Sequence, residues 1–224
     1  MNTEALLLSL RLAVTVSLLL LVLAMPLAYA LAFFQWRGKF LMESIVALPL
    51  VLPPTVLGFY ALIALGPHGL LGKIWQSLFG HPLAFTFAGL VIASLVYSLP
   101  FAVQPLVVSF ELLDRRLLDA SAILGAGRMR TFFRVILPLA WPGVLTSLVL
   151  SFAHTLGEFG VVLMVGGNLP GVTRTVSIDI YDRVQSLDYA GAQQTALLLL
   201  VVCFVVLSIV YGVNRRVWSP WPAK

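Results

Sequence analysis

Apolar positions run from Ala5 to Phe34 with a single charge among them, Arg11. Four more runs of the same kind follow, near 45–65, 84–110, 141–165 and 195–213. None of the five alternates with period two. Each is apolar around the whole helical circumference rather than on one face, as a lipid-embedded helix is. Each is close to the about 20 residues that a hydrocarbon core requires. The pattern predicts an all-α integral membrane protein with five transmembrane helices and connecting segments near 35–44, 66–83, 111–140 and 166–194.

The pattern changes between the third and fourth runs. Across 111–138, Leu117, Leu118, Ser121 and Leu124 recur at helical spacing, with Arg115, Arg116 and Asp119 among them. This predicts a short amphipathic helix. Gly125 and Gly127 then permit a sharp turn. A second helical stretch follows, and Pro138 precedes re-entry into the apolar phase. No internal repeat is evident, which gives no support to an inverted-repeat secondary transporter. Pro49, Pro53 and Pro54 interrupt the second run, and Pro100 and Pro105 the third. Inside lipid, such breaks persist only where neighbouring helices or a wet cavity satisfy the freed backbone groups.

Composition agrees with this picture. The 224 residues are 60% hydrophobic and 10% charged, a balance that a water-soluble domain of this size cannot accommodate. The net charge of +5 bears on topology rather than on nucleic acid, since no basic run or aromatic ladder is present. With the N-terminus outside, Arg37, Lys39, Arg115, Arg116, Arg128, Arg130, Arg134, Arg215, Arg216 and Lys224 fall inside, against Arg11, Lys73, Arg174 and Arg183 outside. The positive-inside rule therefore predicts N-out and C-in, with a membrane domain over 5–214 and a short cytoplasmic tail at 215–224. Ala28-Tyr29-Ala30 has the form of a signal-cleavage site, but the run is long for a signal peptide and lacks a basic leader, so a retained helix is expected. The lone Cys203 permits no intrachain disulfide or cysteine metal site. Neither Gly38-Lys39 nor Gly72-Lys73 has the spacing of a phosphate-binding loop, so the chain does not itself hydrolyse ATP by that route.

The segment 119–138 resembles the cytoplasmic loop of ABC importer permeases, whose pattern is Glu-Ala-Ala, three residues, Gly, nine residues and Ile-x-Leu-Pro. Asp119, Ala120, Ser121, Gly125, Val135, Leu137 and Pro138 fall in register, with Asp for Glu, Ser for the second Ala and Val for Ile. The resemblance implies the type I importer permease fold and a coupling helix seated in a groove of a separate ATPase subunit. Asp119, Ala120, Ser121, Leu124, Gly125, Gly127, Leu137 and Pro138 are then the coupling residues. It also implies a homodimer, two ATP-binding cassette subunits that use ATP and Mg, an exported binding protein, and no cofactor or catalytic residue on this chain.

Nearly the whole chain looks like the molybdate and sulfate branch of that family. The resemblance is carried by Leu48 to Val56, Leu124 to Arg128, Leu156-Gly157-Glu158-Phe159-Gly160, Asn168 to Gly171 and Thr173-Arg174-Thr175. Gly-Glu-Phe-Gly is shared by sulfate and thiosulfate permeases. The Pro-Gly-x-Thr-Arg-Thr stretch and the short length point to molybdate, with tungstate inseparable from it. The candidates for the substrate path or outer mouth are His154, Glu158, Thr173 and Arg174. An acid within a span is a functional candidate by default, and His154, four residues earlier, shares its helix face and can pair with it. A carboxylate repels a divalent anion, so Glu158 is not expected to bind substrate directly. His68 and His81 are read as ordinary loop residues, too few for a metal site.

Overall fold

A computed structural model of the chain describes residues 2–214; the expected cytoplasmic tail, with Arg215, Arg216 and Lys224, lies outside the described residues. Three helices form the core: α1 (Thr3–Phe33), α5 (Phe87–Glu111) and α9 (Trp141–Gly157). Asn2 caps α1, its side chain accepting from the Ala5 N–H, and Thr86 caps α5 by accepting from Gly89. Along α1, Leu12, Val16, Leu20, Ala24, Ala28 and Leu31 are buried, a stripe at three- and four-residue spacing, while Leu18, Val22 and Leu23 are left exposed. In a lipid phase a hydrophobic driving force between helices is absent. Close approach of small residues and interhelical hydrogen bonds hold the helices together instead. Ala13, Ser17, Ala24 and Ala28 supply the first on α1, and Ser98 on α5, bonded to Thr155 on α9 at 2.9 Å, supplies the second.

The ends of the bundle are defined by contacts. Arg11 lies over the Phe87 ring at 4.5 Å, and Phe33 stacks with Phe110 at 6.1 Å, so α1 and α5 run in the same direction. Ser109 reaches the Ala140 carbonyl at 3.4 Å, so α9 starts where α5 finishes and runs back. The N-terminus shares its end of the bundle with the 166–188 segment: Asn2 donates to Asp179 at 3.1 Å, and the Val176 N–H donates to Ser9 at 2.8 Å. The 34–39 and 111–140 segments share the opposite end, where Lys39 meets Glu43 at 3.5 Å and Glu111 at 3.9 Å.

The second apolar run is not one straight span. It divides into α2 (Lys39–Val51) and α3 (Pro54–Leu65), which meet at 112°. Pro53 and Pro54 have no N–H to continue the ladder and force extended backbone before them, seen at Leu52 (ψ 138) and Pro53 (ψ 137). The fourth run is also divided. α9 stops at Gly157, Glu158 is extended (φ −64, ψ 133), and α10 covers Gly160–Gly166. α10 packs on α3 and α5. The final run is longer than expected, α12 (Tyr189–Asn214), and lies against α9 and α11 (Val176–Gln185) with most of its surface uncovered. Among the described residues three helices (α1, α5 and α12) are long and apolar enough to cross a membrane, and there are up to five crossings if each of two bent pairs counts as one: α2 with α3, and residues 128–139 with α9, which meet at a bend of 73°.

The connections also contain helices too short for a spanning pattern to announce. α4 (Leu70–Phe79) fills the expected loop at 66–83, and α11 (Val176–Gln185) the one at 166–194. Asp188 accepts from the Gly191 N–H at 2.9 Å and thereby starts α12. Arg183 binds Asp179 at 2.9 Å and Asp188 at 2.8 Å. The Gly191 N–H first, and the Arg183 guanidinium after it, hold the Asp188 carboxyl below its usual range.

Candidate functional site

The segment 112–140 folds as a hairpin of short helices at the end opposite the N-terminus. Asp114 caps α6 (Arg115–Ile123) by accepting from the Arg116 N–H at 2.9 Å. The helix closes in a Schellman motif: Ala126 N–H bonds the Ser121 carbonyl at 3.0 Å and Gly125 N–H the Ala122 carbonyl at 2.9 Å. Gly125 sits at φ +75 with nothing within 4 Å of where a Cβ would be, so its role is conformational rather than steric. Gly127, by contrast, has an ordinary φ of −69 and opens α7 (Arg128–Thr131).

The returning arm continues as a π-helical turn (Phe132–Ile136) into α8 (Leu137–Leu139), with Pro138 just past the π turn. The Leu137 N–H reaches back five residues to the Phe132 carbonyl, the mark of an inserted residue. Ser121 is buried and its hydroxyl meets that of Thr131 at 2.8 Å, tying the two arms. Asp119, Ala120, Leu124, Gly125, Gly127 and Pro138 are exposed, and Leu137 is half-buried. At the tip, Ile123, Leu124 and Met129 are 86%, 85% and 70% exposed. Ile123 and Met129 belong to this apolar tip and were not singled out from the sequence, although the helical period already places Ile123 beside Leu124. The hairpin is rooted by Phe132, whose ring meets Tyr29 on α1 at 5.7 Å and Phe110 on α5 at 6.4 Å.

A second feature forms where the two broken runs meet. Pro54 and Thr55 at the start of α3, Tyr97 on α5, and His154, Gly157, Glu158 and Gly160 at the α9–α10 break line an open concavity of about 580 Å³. Its lining has no Lys or Arg. His154 does not pair with Glu158 as expected. Its Nδ1 meets the Ser98 hydroxyl at 2.8 Å, and its ring stacks on Phe101 at 3.9 Å and lies 4.7 Å from Tyr97. The reason is the break itself: Glu158 has left the helix, so the i,i+4 relation no longer places the two side chains together. Glu158 is buried, and neither carboxylate oxygen has a hydrogen-bond partner among the described residues. The Ser94 hydroxyl lies within electrostatic reach, but it too completes no hydrogen bond. Only the Glu158 backbone is anchored, its carbonyl accepting from Ser177 at 2.8 Å.

Thr173 and Arg174 stand apart from this concavity. Thr173 is fully buried, donating to the Gly166 carbonyl at 2.6 Å and accepting from the Leu169 N–H at 3.3 Å, which closes the turn between α10 and α11. Arg174 is engaged by Asn168 at 2.5 Å and Asp182 at 3.6 Å. The structure therefore separates the four expected path residues into a pair at the helix break and a pair within a surface turn. His81 meets the Pro82 carbonyl at 3.1 Å and stands beside Trp75.

A helical membrane bundle with an open concavity at the breaks in its spans, and an apolar-tipped hairpin at one end, has the form of a membrane transport subunit. The sequence family described as "Binding-protein-dependent transport system inner membrane component" matches residues 11–219, and the chain belongs to that family. It is a multi-pass inner-membrane protein of that group. It is similar to the molybdenum transport system permease protein ModB of Azotobacter vinelandii, at 51% identity, covering 96% of this chain and 95% of the relative. The protein of the same name in Haemophilus influenzae is 40% identical over 100% of this chain and 94% of its own length. A probable sulfate transport system permease protein cysT of Chlorella vulgaris is 33% identical, covering 92% and 77%. Among solved structures, the MetNI methionine ABC transporter in inward-facing conformations matches with a TM-score of 0.72 at 16% identity, covering 97% of this chain and 96% of that one. A bacterial alginate ABC transporter in complex with its alginate-bound periplasmic protein matches with a TM-score of 0.74 at 16% identity, covering 96% and 78%. These structures establish the ABC importer permease fold.

Proposed function

We propose that the chain is the permease subunit of an ABC importer that carries molybdate across the cytoplasmic membrane, driven by ATP hydrolysis on a separate subunit. The observation that carries the substrate is the 51% identity to a molybdenum permease along nearly the whole of both chains. A sulfate reading has support from the Chlorella vulgaris relative, at a lower identity and coverage.

In this reading the chain crosses the membrane five times, with each bent pair as one crossing, the N-terminus outside and the C-terminus inside. Two copies enclose the path, an exported anion-binding protein delivers the substrate, and two cassette subunits use ATP and Mg. The hairpin is the coupling element. Leu124, with Ile123 and Met129, enters a groove of the cassette subunit, and Asp119 and Ala120 lie along the same exposed helix. Gly125 and Gly127 shape the turn, Ser121 braces it, and Leu137 and Pro138 join it to the membrane. The support is physical: an exposed apolar tip on a closed, capped turn is suited to a partner groove, and its aromatic root on α1 and α5 gives a route for movement.

His154 and Glu158 flank the path, and Thr173 and Arg174 shape its outer mouth through the turn that they hold. With no fixed cation in its lining, the concavity is suited to passage rather than retention, since conduction needs weak sites. ATP and the loaded binding protein act by binding one conformation more tightly than the other. The test is uptake into vesicles containing the reconstituted complex, with molybdate, tungstate and sulfate in competition. Molybdate or tungstate should suppress labelled molybdate uptake at concentrations where sulfate does not; sulfate prevailing at equal concentration would overturn the substrate.

A further inference from the structure

α4 has three faces. Gly72 presses it against the protein body, where a methyl group would lie on the Gly66 carbonyl oxygen, and Trp75 packs beside it. Turning around the helix at 3.6 residues per turn, Leu70, Leu71, Ile74 and Leu78 form a second face. All four are exposed, Leu70 and Leu78 at more than 70%. Lys73, Gln76 and Ser77 form the third face, also exposed. Lys73 makes no ion pair among the described residues.

The apolar face does not stand alone. Leu71 belongs to an apolar cleft of about 210 Å³ between α3, α4 and α5, with Leu57, Tyr60, Ala61, Val96 and Tyr97 in its walls. The rim of that cleft continues into Phe59, Tyr60 and Ile63, the exposed apolar surface of α3. α4 ends in an aromatic group, Trp75, Phe79 and His81, of the kind that gathers where membrane meets water.

We propose that α4 lies in the membrane–water interface and, with the cleft beside it, binds a phospholipid: an acyl chain between α3 and α4, and the headgroup phosphate at Lys73. A helix with one apolar and one polar exposed face, joining two membrane helices, is the form that lies in the interface plane rather than across it. A second copy of the chain would leave the polar face and Lys73 unexplained. A soluble partner would cover the polar face and leave the apolar one in water. Tyr97 also lines the concavity at the helix breaks, so the acyl chain backs directly onto the wall of that concavity.

The experiment uses the full-length chain, with its accompanying subunits, in phosphatidylcholine–phosphatidylglycerol bilayers. Single spin labels are placed at 71, 73, 74, 76 and 78 in a Cys203→Ser background. Oxygen collision should dominate at 71, 74 and 78, and a water-soluble nickel complex at 73 and 76, with helical period. A photoreactive phosphatidylglycerol should label α4, and Lys73→Gln should lower its capture by about fivefold. Labels at 74 and 78 that broaden one another between copies would overturn the proposal in favour of a contact between chains. Nickel access on both faces would overturn it in favour of a water-exposed surface. Ala61→Trp, which places a bulky ring in the cleft wall, provides an independent arm: unchanged lipid capture by a normally inserted variant also counts against the proposal.

Discussion

Gly125 holds the hairpin turn in a backbone conformation that L side chains rarely adopt. Its φ of +75 costs an L side chain about 1–2 kcal/mol, and no neighbour lies within 4 Å to complicate the substitution. Gly125→Val should therefore leave membrane insertion unchanged while loosening the hairpin, so that ATP hydrolysis continues and uptake falls. The measurement is the ratio of the two rates in one preparation, and an unchanged ratio would remove the hairpin from coupling. Glu158 gives the opposite case, a buried side chain whose carboxylate completes no hydrogen bond among the described residues. Burying an unpartnered acid is unfavourable, so the isosteric Glu158→Gln should raise the thermal midpoint of the purified chain. A fall of several degrees would reveal a donor for the carboxylate, supplied by a second copy or another subunit. Gly125 was legible in the sequence because the motif places a glycine four residues beyond Ser121. The isolation of Glu158 was not legible, because its separation from His154 depends on a helix break that no proline marks.

At the scale of elements, the uninterrupted apolar runs were legible and the interrupted ones only partly so. Pro53 and Pro54 announce a break, but the 112° turn also needs α10 to receive α3. The ten residues between Gly69 and Gly80 are too short for a spanning pattern, so the spans alone predict a loop where α4 forms, although its apolar positions recur at helical spacing. α11 was missed for a different reason: its stability comes from distant partners. Asp179 is held by Asn2, 177 positions away, and by Arg183. Asp179→Ala should release both the N-terminus and α11, seen as faster amide exchange at 2–6 and 176–185 with the rest unchanged. The start of α12 carries a pH dependence of known sign. Asp188 is held below its usual range by the Gly191 N–H and Arg183, so its contribution is complete above the ordinary carboxylate pKa and is lost as pH falls through the lowered one. The protection of the Gly191 amide, its exchange rate relative to the intrinsic rate at the same pH, should fall on acidification to that range and stay unchanged between pH 6 and pH 8.

At the scale of the molecule, the proposed function joins the parts as one lever. The hairpin sits on Phe132, Phe132 on α1 and α5, and α5 with α3 and α9 walls the concavity where both broken spans meet. In the proposed reading a push at the tip would be delivered to the helices around the concavity, without any residue of the tip entering it. The most direct test of this account replaces Leu124, at the exposed tip, with cysteine in a Cys203→Ser chain. The account predicts that this thiol is unreactive to an impermeant reagent in intact cells, reacts after permeabilisation, and cross-links to the cassette subunit. Labelling from outside intact cells would contradict it.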